Sequence, residues 1–395
     1  MGNYNFWITD ECEYEKGRTT MRVAILESII MPAGHEVEFD RMIINELKRQ
    51  GHEPVLMVPE NFTFKVDYGV EVIYLEGGEV VTYAGASKWK KPFLSLLRER
   101  RRRAWFTSAA KKLEEHNCDA LIIPTSTYRY IKALLDTPLK NAKVPVHFIF
   151  HGIGKGENVR FLKQAERANR YPNIYLDVIT LRDDMLRSDL PRVRPILPPV
   201  FTPSTGETPT FSTHTPLRLG FFGQFRKEKN IIPLLDAFKT ASFTGPVELL
   251  VQGATAKPED GELFDAIANE YKDVPGLSFL HANLIGPDWD KALLDVDAIL
   301  MPYGAERYRY HWSAMLYTAI GFYKPALVSP EINPEVLHDY HVGESLDISS
   351  VDTIRAGLEQ FVNKMIEHPE IYEAGLVQAN EDFGHKRMID SIINV

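Results

Sequence analysis

Residues 219 to 238 read LGFFGQFRKEKNIIPLLDAF: an apolar strand, one glycine, a knot of cations and an amphipathic helix. Gly223, Gln224, Arg226, Lys227 and Lys229 fill the turn that opens the helix. A helix N-terminus already carries free N–H groups and a partial positive charge. Cations added there cost stability unless an anion sits on them, and the anion this turn suits is a phosphate. A second candidate lies in HFIFHGIGKGENVRF, where His151 follows an apolar strand and precedes two glycines. An imidazole at such a point can bond a hydroxyl or offset phosphate charge. His147 lies mid-strand and reads as a packed histidine, while Lys155, Asn158 and Arg160 follow on a loop that either faces the site or is simply solvated.

Other chemistries find no support. The sequence contains no G-x-x-x-x-G-K-[ST], G-x-S-x-G, H-E-x-x-H or G-x-G-x-x-G. Its 12 histidines show no i, i+4 pair beside a carboxylate, and its 2 cysteines, Cys12 and Cys118, make neither a disulfide framework nor a zinc site. No metal centre is expected, and no pair of carboxylates stands out as acid and base.

The elements that must hold these residues follow from the pattern. The chain has 395 residues, 44% of them hydrophobic, and at roughly 150 residues per domain two domains are expected. MRVAILES (21–28), PVLMVPE, DALIIPTS (119–126), VPVHFIFHG (144–152) and NIYLDVITLR (173–182) read as buried strands, the last followed by a short helix, DDMLRSDL. Helical spacing of Val37, Met42, Ile43 and Leu47 ends at Gly51. From 192 to 216 the chain turns to Pro, Ser and Thr, the composition of a linker. A second series then runs through LRLGFFG, VELLVQG, a helix near 260–272, LSFLHANL, WDKALLDVD, AILMPY, KPALVSP and GESLDIS, closed by helices at 351–366 and about 370–395. The rhythm is α/β: two doubly wound, Rossmann-like domains with parallel sheets, whose ligands sit at the carboxyl ends of the strands. The expected division is 1–20 as an extension or tag, 21–195 and 217–375 as domains, 196–216 as linker, and 376–395 as a terminal helix that can return to the first domain.

The net charge of −9 does not suit a general nucleic-acid binder. RERRRRAW (98–105) inverts that sign locally. Arg100, Arg101, Arg102, Arg103 and Trp105 read either as a solvated helical face within 93–115 or as a contact for an anionic membrane or acceptor. No run approaches the roughly 20 apolar residues of a membrane span, and residues 1–20 lack the features of a signal peptide. A cytoplasmic, reducing location is expected, with peripheral attachment to the inner face of a membrane as an option.

In the order and type of these motifs the chain resembles GT-B glycosyltransferases, in pattern the nucleotide-sugar-dependent family 4, over about residues 21 to 390. ESIIMPAGHEVEFDRMIINELKRQGHEPVLMVP resembles the family's opening, with Ala33–Gly34 in place of the glycines beside the donor diphosphate. The resemblance sets His151 at the donor's sugar or phosphate. It sets Lys229, six residues past Gly223, on the diphosphate; Gln224 replaces the family's arginine there, and Arg226 offers the charge instead. The family's paired glutamates are rearranged in MPYGAERYRYHWSAMLYTAIGFYKP. Glu306 is four past Pro302, where the first is due, yet counting back from Lys324–Pro325 puts the first near Tyr310 and the second at Thr318. His311–Trp312–Ser313–Ala314 resembles the form of some relatives in which the helix N–H groups at Ser313, Ala314 and Met315 cap the diphosphate. Tyr308, Tyr310 and Trp312 either pack the loop or stack on a sugar. Asn283 and Leu284 occupy the loop that presents backbone to the base.

The resemblance implies a GT-B fold with two domains facing each other across a cleft. The activity it implies is transfer of a sugar from a nucleotide-sugar donor to a glycan, glycolipid or other acceptor, with retention and without metal or cofactor. The alternatives are another enzyme of this fold, such as a nucleotide-sugar epimerase or a polyol-phosphate transferase, or an inactive scaffold.

Overall fold

The computed structural model describes residues 20–28, 36–64, 67–82, 87–182, 187, 189–204, 208–255 and 257–395. Gly34, the first 19 residues and most of DDMLRSDL lie outside them.

The first domain runs β1 (Arg22–Leu26), α1 (Glu36–Arg49), β2 (Glu53–Pro59), β3 (Glu71–Leu75), α2 (Lys91–Glu115), β4 (Ala120–Ile123), α3 (Tyr128–Leu134), β5 (Val146–Phe150), α4 (Lys155–Ala168), β6 (Ile174–Ile179) and β7 (Val193–Ile196). Its seven strands form one parallel sheet in the order β3-β2-β1-β4-β5-β6-β7, with Ala24 set between Val55 and Leu121. All residues of β4 and β5 are buried. Central strands of a parallel sheet are covered by helices on both faces, so they read as unbroken apolar runs. The second domain runs β8 (Leu217–Phe221), α5 (Ile231–Thr240), β9 (Val247–Gly253), α6 (Pro258–Tyr271), β10 (Leu277–His281), α7 (Pro287–Leu294), β11 (Ala298–Met301), α8 (Ala314–Gly321), β12 (Ala326–Val328), α9 (Pro334–Tyr340), β13 (Gly343–Ser345), α10 (Val351–Glu367), α11 (Glu373–Asp382) and α12 (His385–Ile393). Its six-stranded sheet has the order β10-β9-β8-β11-β12-β13, again with every pair parallel.

Three features depart from the sequence expectation. Strand β3 is short and half-buried, and its four apolar residues, VIYL, stand between polar stretches that hide them as a strand. Strand β7 lies inside the Pro-rich stretch read as linker; Pro195 is tolerated because β7 is the edge strand. The terminal helix is broken at Gly384. Helix α11 packs on α8 and α9, whereas α12 crosses to pack on α1 and β7 with Met388, Ile389, Ile392 and Ile393 buried. One continuous apolar core therefore joins α1 and α12 to the second domain.

The arginine run does not form the outward face considered above. Arg102 is buried beneath Glu99 at 2.7 Å and over the Tyr130 ring at 4.3 Å. Arg101 donates to the Gly77 carbonyl, Arg103 pairs with Asp136 at 2.8 Å, and buried Trp105 donates its Nε1–H to Gly78 O at 2.9 Å. A run of four on a helix spans more than one turn, so most of it points toward neighbouring elements; Arg100 alone of these five is exposed. The exposed apolar groups lie a turn or more earlier, at Trp89, Phe93 and Leu96.

The crossing of α12 is a packing contact and should behave as one. Ile392→Ala should destabilise the protein by about 2–5 kcal/mol, the usual loss for a buried isoleucine truncated to alanine. Arg387→Ala, on the exposed side, should change stability by under about 1 kcal/mol. Thermal midpoints of the two variants check this.

Candidate active site

The turn after β8 is built around one lysine. Gly223 has φ +104°, a left-handed conformation that L side chains rarely adopt, and a Cβ there would stand 3.0 Å from Lys229 Nζ. Its N–H donates to Gln252 Oε1 at 2.8 Å, and Gln252, itself buried, donates to Ala282 O, pinning the turn to the end of β10. Gln224 pairs through its backbone with Ala254, and its Oε1 accepts from Arg226 Nε and Nη2 at 3.1 and 2.6 Å. Lys229 is 8% exposed; its Nζ donates to Phe222 O at 3.2 Å and lies 4.7 Å from the centre of the Tyr303 ring. Among the described residues no carboxylate forms an ion pair with it. Burial above all, and then the positive charge of Arg226, push its pKa down to about 7, against a smaller opposing pull from Glu228. A buried ammonium is expensive without a counter-charge.

The opposite end of the site is the segment between β11 and α8. Tyr303 is buried against Lys229 with its hydroxyl pushed further above the usual phenol range by burial. Arg307 reaches Glu228 at 3.2 Å and lies over Tyr308. Glu306 is exposed, with no hydrogen bond or ion pair among the described residues. Ser313 stands at the N-cap position of α8 without a side-chain capping bond; its N–H donates to Asn333 Oδ1 at 3.0 Å, and Asn333 also donates to Tyr308 O and His311 O. The N–H groups of Ala314 and Met315, in the first turn, have no carbonyl within the helix to bond. Thr318, at the position due for a second glutamate, is buried and turns its hydroxyl back to Ala314 O at 2.8 Å.

This segment meets the first domain directly. His311 and Gly152 form an antiparallel backbone bridge, and Trp312 N donates to His151 O at 3.2 Å. Gly152 has φ +102°, and a Cβ there would fall 2.1 Å from Tyr310 O, so no larger residue fits without displacing the second domain's chain. The His151 Nε2 lies 2.8 Å from Pro124 O, and its ring packs edge-on against Phe39 and Trp312 at 4.7 and 5.4 Å. Trp312 is 8% exposed and stacks on Phe201, so it packs the interface and presents no open face. His311 Nδ1 lies 3.3 Å from His151 O; burial holds its pKa below the ordinary histidine value. Arg182 lies over Tyr310 and pairs with Glu335 across the same interface.

The structure thus gathers Gly223, Gln224, Arg226 and Lys229 at one end of the 302–313 segment, and His151, His311, Ser313, Ala314 and Met315 at the other. Asn283 bonds Thr255 N from the neighbouring loop, and Leu284 beside it is half-buried. Lys155, Asn158 and Arg160 lie on α4 and not on a loop. Sequence reasoning missed Gln252, Tyr303, Arg307 and Asn333. Asn333, at φ +35°, precedes a proline at a helix start, the signal that could have found it; the others lie in or after strands with no spacing to mark them.

The lysine generates a pH prediction. In the free protein Lys229 loses its proton near pH 7, and a bound diphosphate would raise that value by stabilising the charged form. Below pH 7 the amine is already charged and binding takes up no proton from it. Above pH 7 binding must take one up, so diphosphate affinity falls as pH rises from 7 to 9. Calorimetry with UDP in buffers of different ionisation enthalpy should show this uptake, and Lys229→Met should abolish both the uptake and most of the affinity.

By sequence the chain matches no protein-family model and none of the curated proteins. By structure it is similar to Anabaena Alr3699/HepE in complex with UDP and glucose (13% identity, TM-score 0.59, 95% of this chain and 97% of that one). It is similar to a glycosyltransferase from Rickettsia africae (11% identity, TM-score 0.65, 95% and 97%). It is also similar to the lipopolysaccharide outer core galactosyltransferase WaaB (13% identity, TM-score 0.61, 95% and 99%). Two parallel sheets with flanking helices, and overlap with these proteins along 95% of the chain, establish that the chain has the GT-B glycosyltransferase fold.

Proposed function

We propose that the protein is a glycosyltransferase that moves a sugar from a nucleotide-sugar donor to a glycan, glycolipid or other acceptor. The observation that carries this reading is Lys229, a buried cation with no ion-pair partner among the described residues, set under a left-handed glycine at the end of β8. The structural neighbour HepE holds UDP, UDP-glucose or UDP with glucose in its solved structures. In this reading Lys229, Arg226 and the N–H groups of Ala314 and Met315 hold the diphosphate. Bond cleavage leaves a nucleoside diphosphate anion, and fixed positive charge lowers the barrier where that charge develops. Gly223 and Gln224 line the approach, and the loop at Asn283 and Leu284 takes the base. Glu306 is placed to meet sugar hydroxyls. His151 acts by position, its carbonyl holding Trp312 N–H and facing His311 Nδ1. The leaving phosphate can deprotonate the attacking hydroxyl itself, which fits retention. The charge a divalent ion would supply comes from the lysine and the helix, so the reading calls for no metal or cofactor.

Titration with UDP, GDP, ADP, CDP and their sugars tests the proposal. One nucleotide class should raise the thermal midpoint, by about 2.7 kcal/mol of stabilisation at a hundredfold excess over Kd, and Lys229→Met should remove the rise. The donor should not isomerise when incubated without acceptor, which separates transfer from epimerisation. Failure of every nucleotide to bind overturns the reading.

Attachment to an anionic membrane surface belongs to the same proposal. No helix among the described residues is long and apolar enough to cross a membrane. Trp89 (93% exposed), Phe93 (69%) and Leu96 (67%) form an open apolar stripe at the start of α2, flanked by exposed Lys88, Lys90, Lys91 and Arg100. Such a pairing of apolar and basic groups suits the headgroup region. The Trp89→Ser, Phe93→Ser double variant should lose sedimentation with phosphatidylglycerol vesicles; retained binding would exclude this surface as the anchor.

A further inference from the structure

The first domain carries a second cationic cluster that the donor reading does not use. The loops leaving β4 and β5 are neighbours, tied by the contact of His151 Nε2 with Pro124 O at 2.8 Å. They open into α3 and α4, beside the Gly152–His311 bridge. Tyr128 stands at the start of α3, and two guanidiniums converge on it. Arg129 Nε and Arg160 Nη1 each lie 3.4 Å from its hydroxyl oxygen, with their carbons 5.8 and 5.9 Å from the ring centre. Both arginines are exposed, and Arg160 makes no ion pair among the described residues, although Glu157 lies one turn away. Lys155 opens α4, whose N-cap, Gly154, offers no side chain to its free N–H groups. From residue 120 to 170 the chain has nine Lys or Arg against three Asp or Glu, in a protein of net charge −9.

Two like charges drawn to one neutral oxygen repel each other, and the arrangement is stabilised when an anion bridges them. Paired guanidinium forks match the oxygens of a phosphate better than any neutral hydroxyl. The hydrogen bond from Arg129 above all, helped by that from Arg160 and by the charge of both, holds the Tyr128 hydroxyl below its ordinary pKa against the opposing effect of burial, making it a good donor to such an anion.

We infer that the acceptor bears a phosphate group, and that Arg160, Arg129 and Tyr128, with Lys155 at the helix start, hold it on the first domain. This rests on the transferase reading and specifies its acceptor class. The cluster stands at the carboxyl ends of β4 and β5, the same face of the sheet from which Gly152 reaches the second domain. An acceptor anchored there by its phosphate presents its hydroxyl to the cleft.

The test uses the full chain carrying Lys229→Met, so that phosphate cannot be captured at the lysine. Glycerol 3-phosphate, inorganic phosphate and glycerol are titrated by calorimetry, and vesicles of phosphatidylglycerol or phosphatidylcholine by sedimentation. The two phosphates should bind and glycerol should not. Adding Arg129→Gln and Arg160→Gln should weaken phosphate binding at least tenfold, with Arg160→Lys recovering part of it. Binding of the soluble ester supports an acceptor with a free phosphate ester. Binding of phosphatidylglycerol vesicles alone, lost with the two glutamines, supports a lipid-borne phosphate. With the vesicles read in the Trp89→Ser, Phe93→Ser background, binding that the glutamines leave unchanged, or no binding to either phosphate source, overturns the inference. UDP titrated against the otherwise unaltered chain and against Arg129→Gln/Arg160→Gln reads the donor separately. If UDP and the other nucleotides fail while Arg160-dependent phosphate binding persists, the donor reading falls and the anion site stands.

Discussion

Two loops, each leaving the carboxyl end of a parallel sheet, meet backbone to backbone at Gly152 and His311. Everything else in the site is arranged by that meeting. It demands a residue without a Cβ on one side, because Tyr310 O occupies the space. It fixes the height of the 302–313 segment above the second sheet, and with it the start of α8 and the roof over Lys229. Around it the rings of Phe39, His151, Trp312 and Phe201 close a small apolar seam drawn from both domains and the linker. A seam of this kind excludes water from one edge of the cleft while leaving the other edge polar.

Lys229 shows how the fold holds an unfavourable group in readiness. Its ammonium loses most of its hydration, retaining one carbonyl and the faces of Phe221 and Tyr303 as partners. The cost is borne by the second domain's core, which is large and continuous. The free protein can relieve that cost by releasing a proton, and a ligand with negative charge relieves it better. A neutral ligand would leave the buried charge as it was, so desolvation as much as attraction would favour an anion at this lysine.

The sequence carried the fold clearly and the site partly, for a physical reason. Buried parallel strands such as ALII and VHFIF must be almost wholly apolar, and the glycine and cations after β8 all fall within one turn, so both are visible as short words. The edge strand β7 has only one neighbour to satisfy and tolerates Arg194 and Pro195, which hid it, while β3 offers only the four apolar residues VIYL between polar stretches. The arginine run misled because composition does not tell which way a helix turns: Arg102 and Trp105 are core residues, and the exposed stripe lies earlier. Contacts between distant segments, such as Asn333 with Ser313 and Tyr303 with Lys229, leave no spacing at all, because their partners come together only when the sheet is assembled.

The chain passes between its domains twice, once after β7 and again at Gly384, and the two passages are stapled to each other. Val200 N–H donates to Phe383 O at 3.0 Å, and His385 Nε2 lies 2.7 Å from Val200 O. The two passages therefore lie side by side at residues 200 and 383, and any change in how the domains meet has to carry both strands of the chain together. Because α12 belongs to the first domain in space and the second in sequence, neither half of the chain, cut at the linker, would carry a complete core.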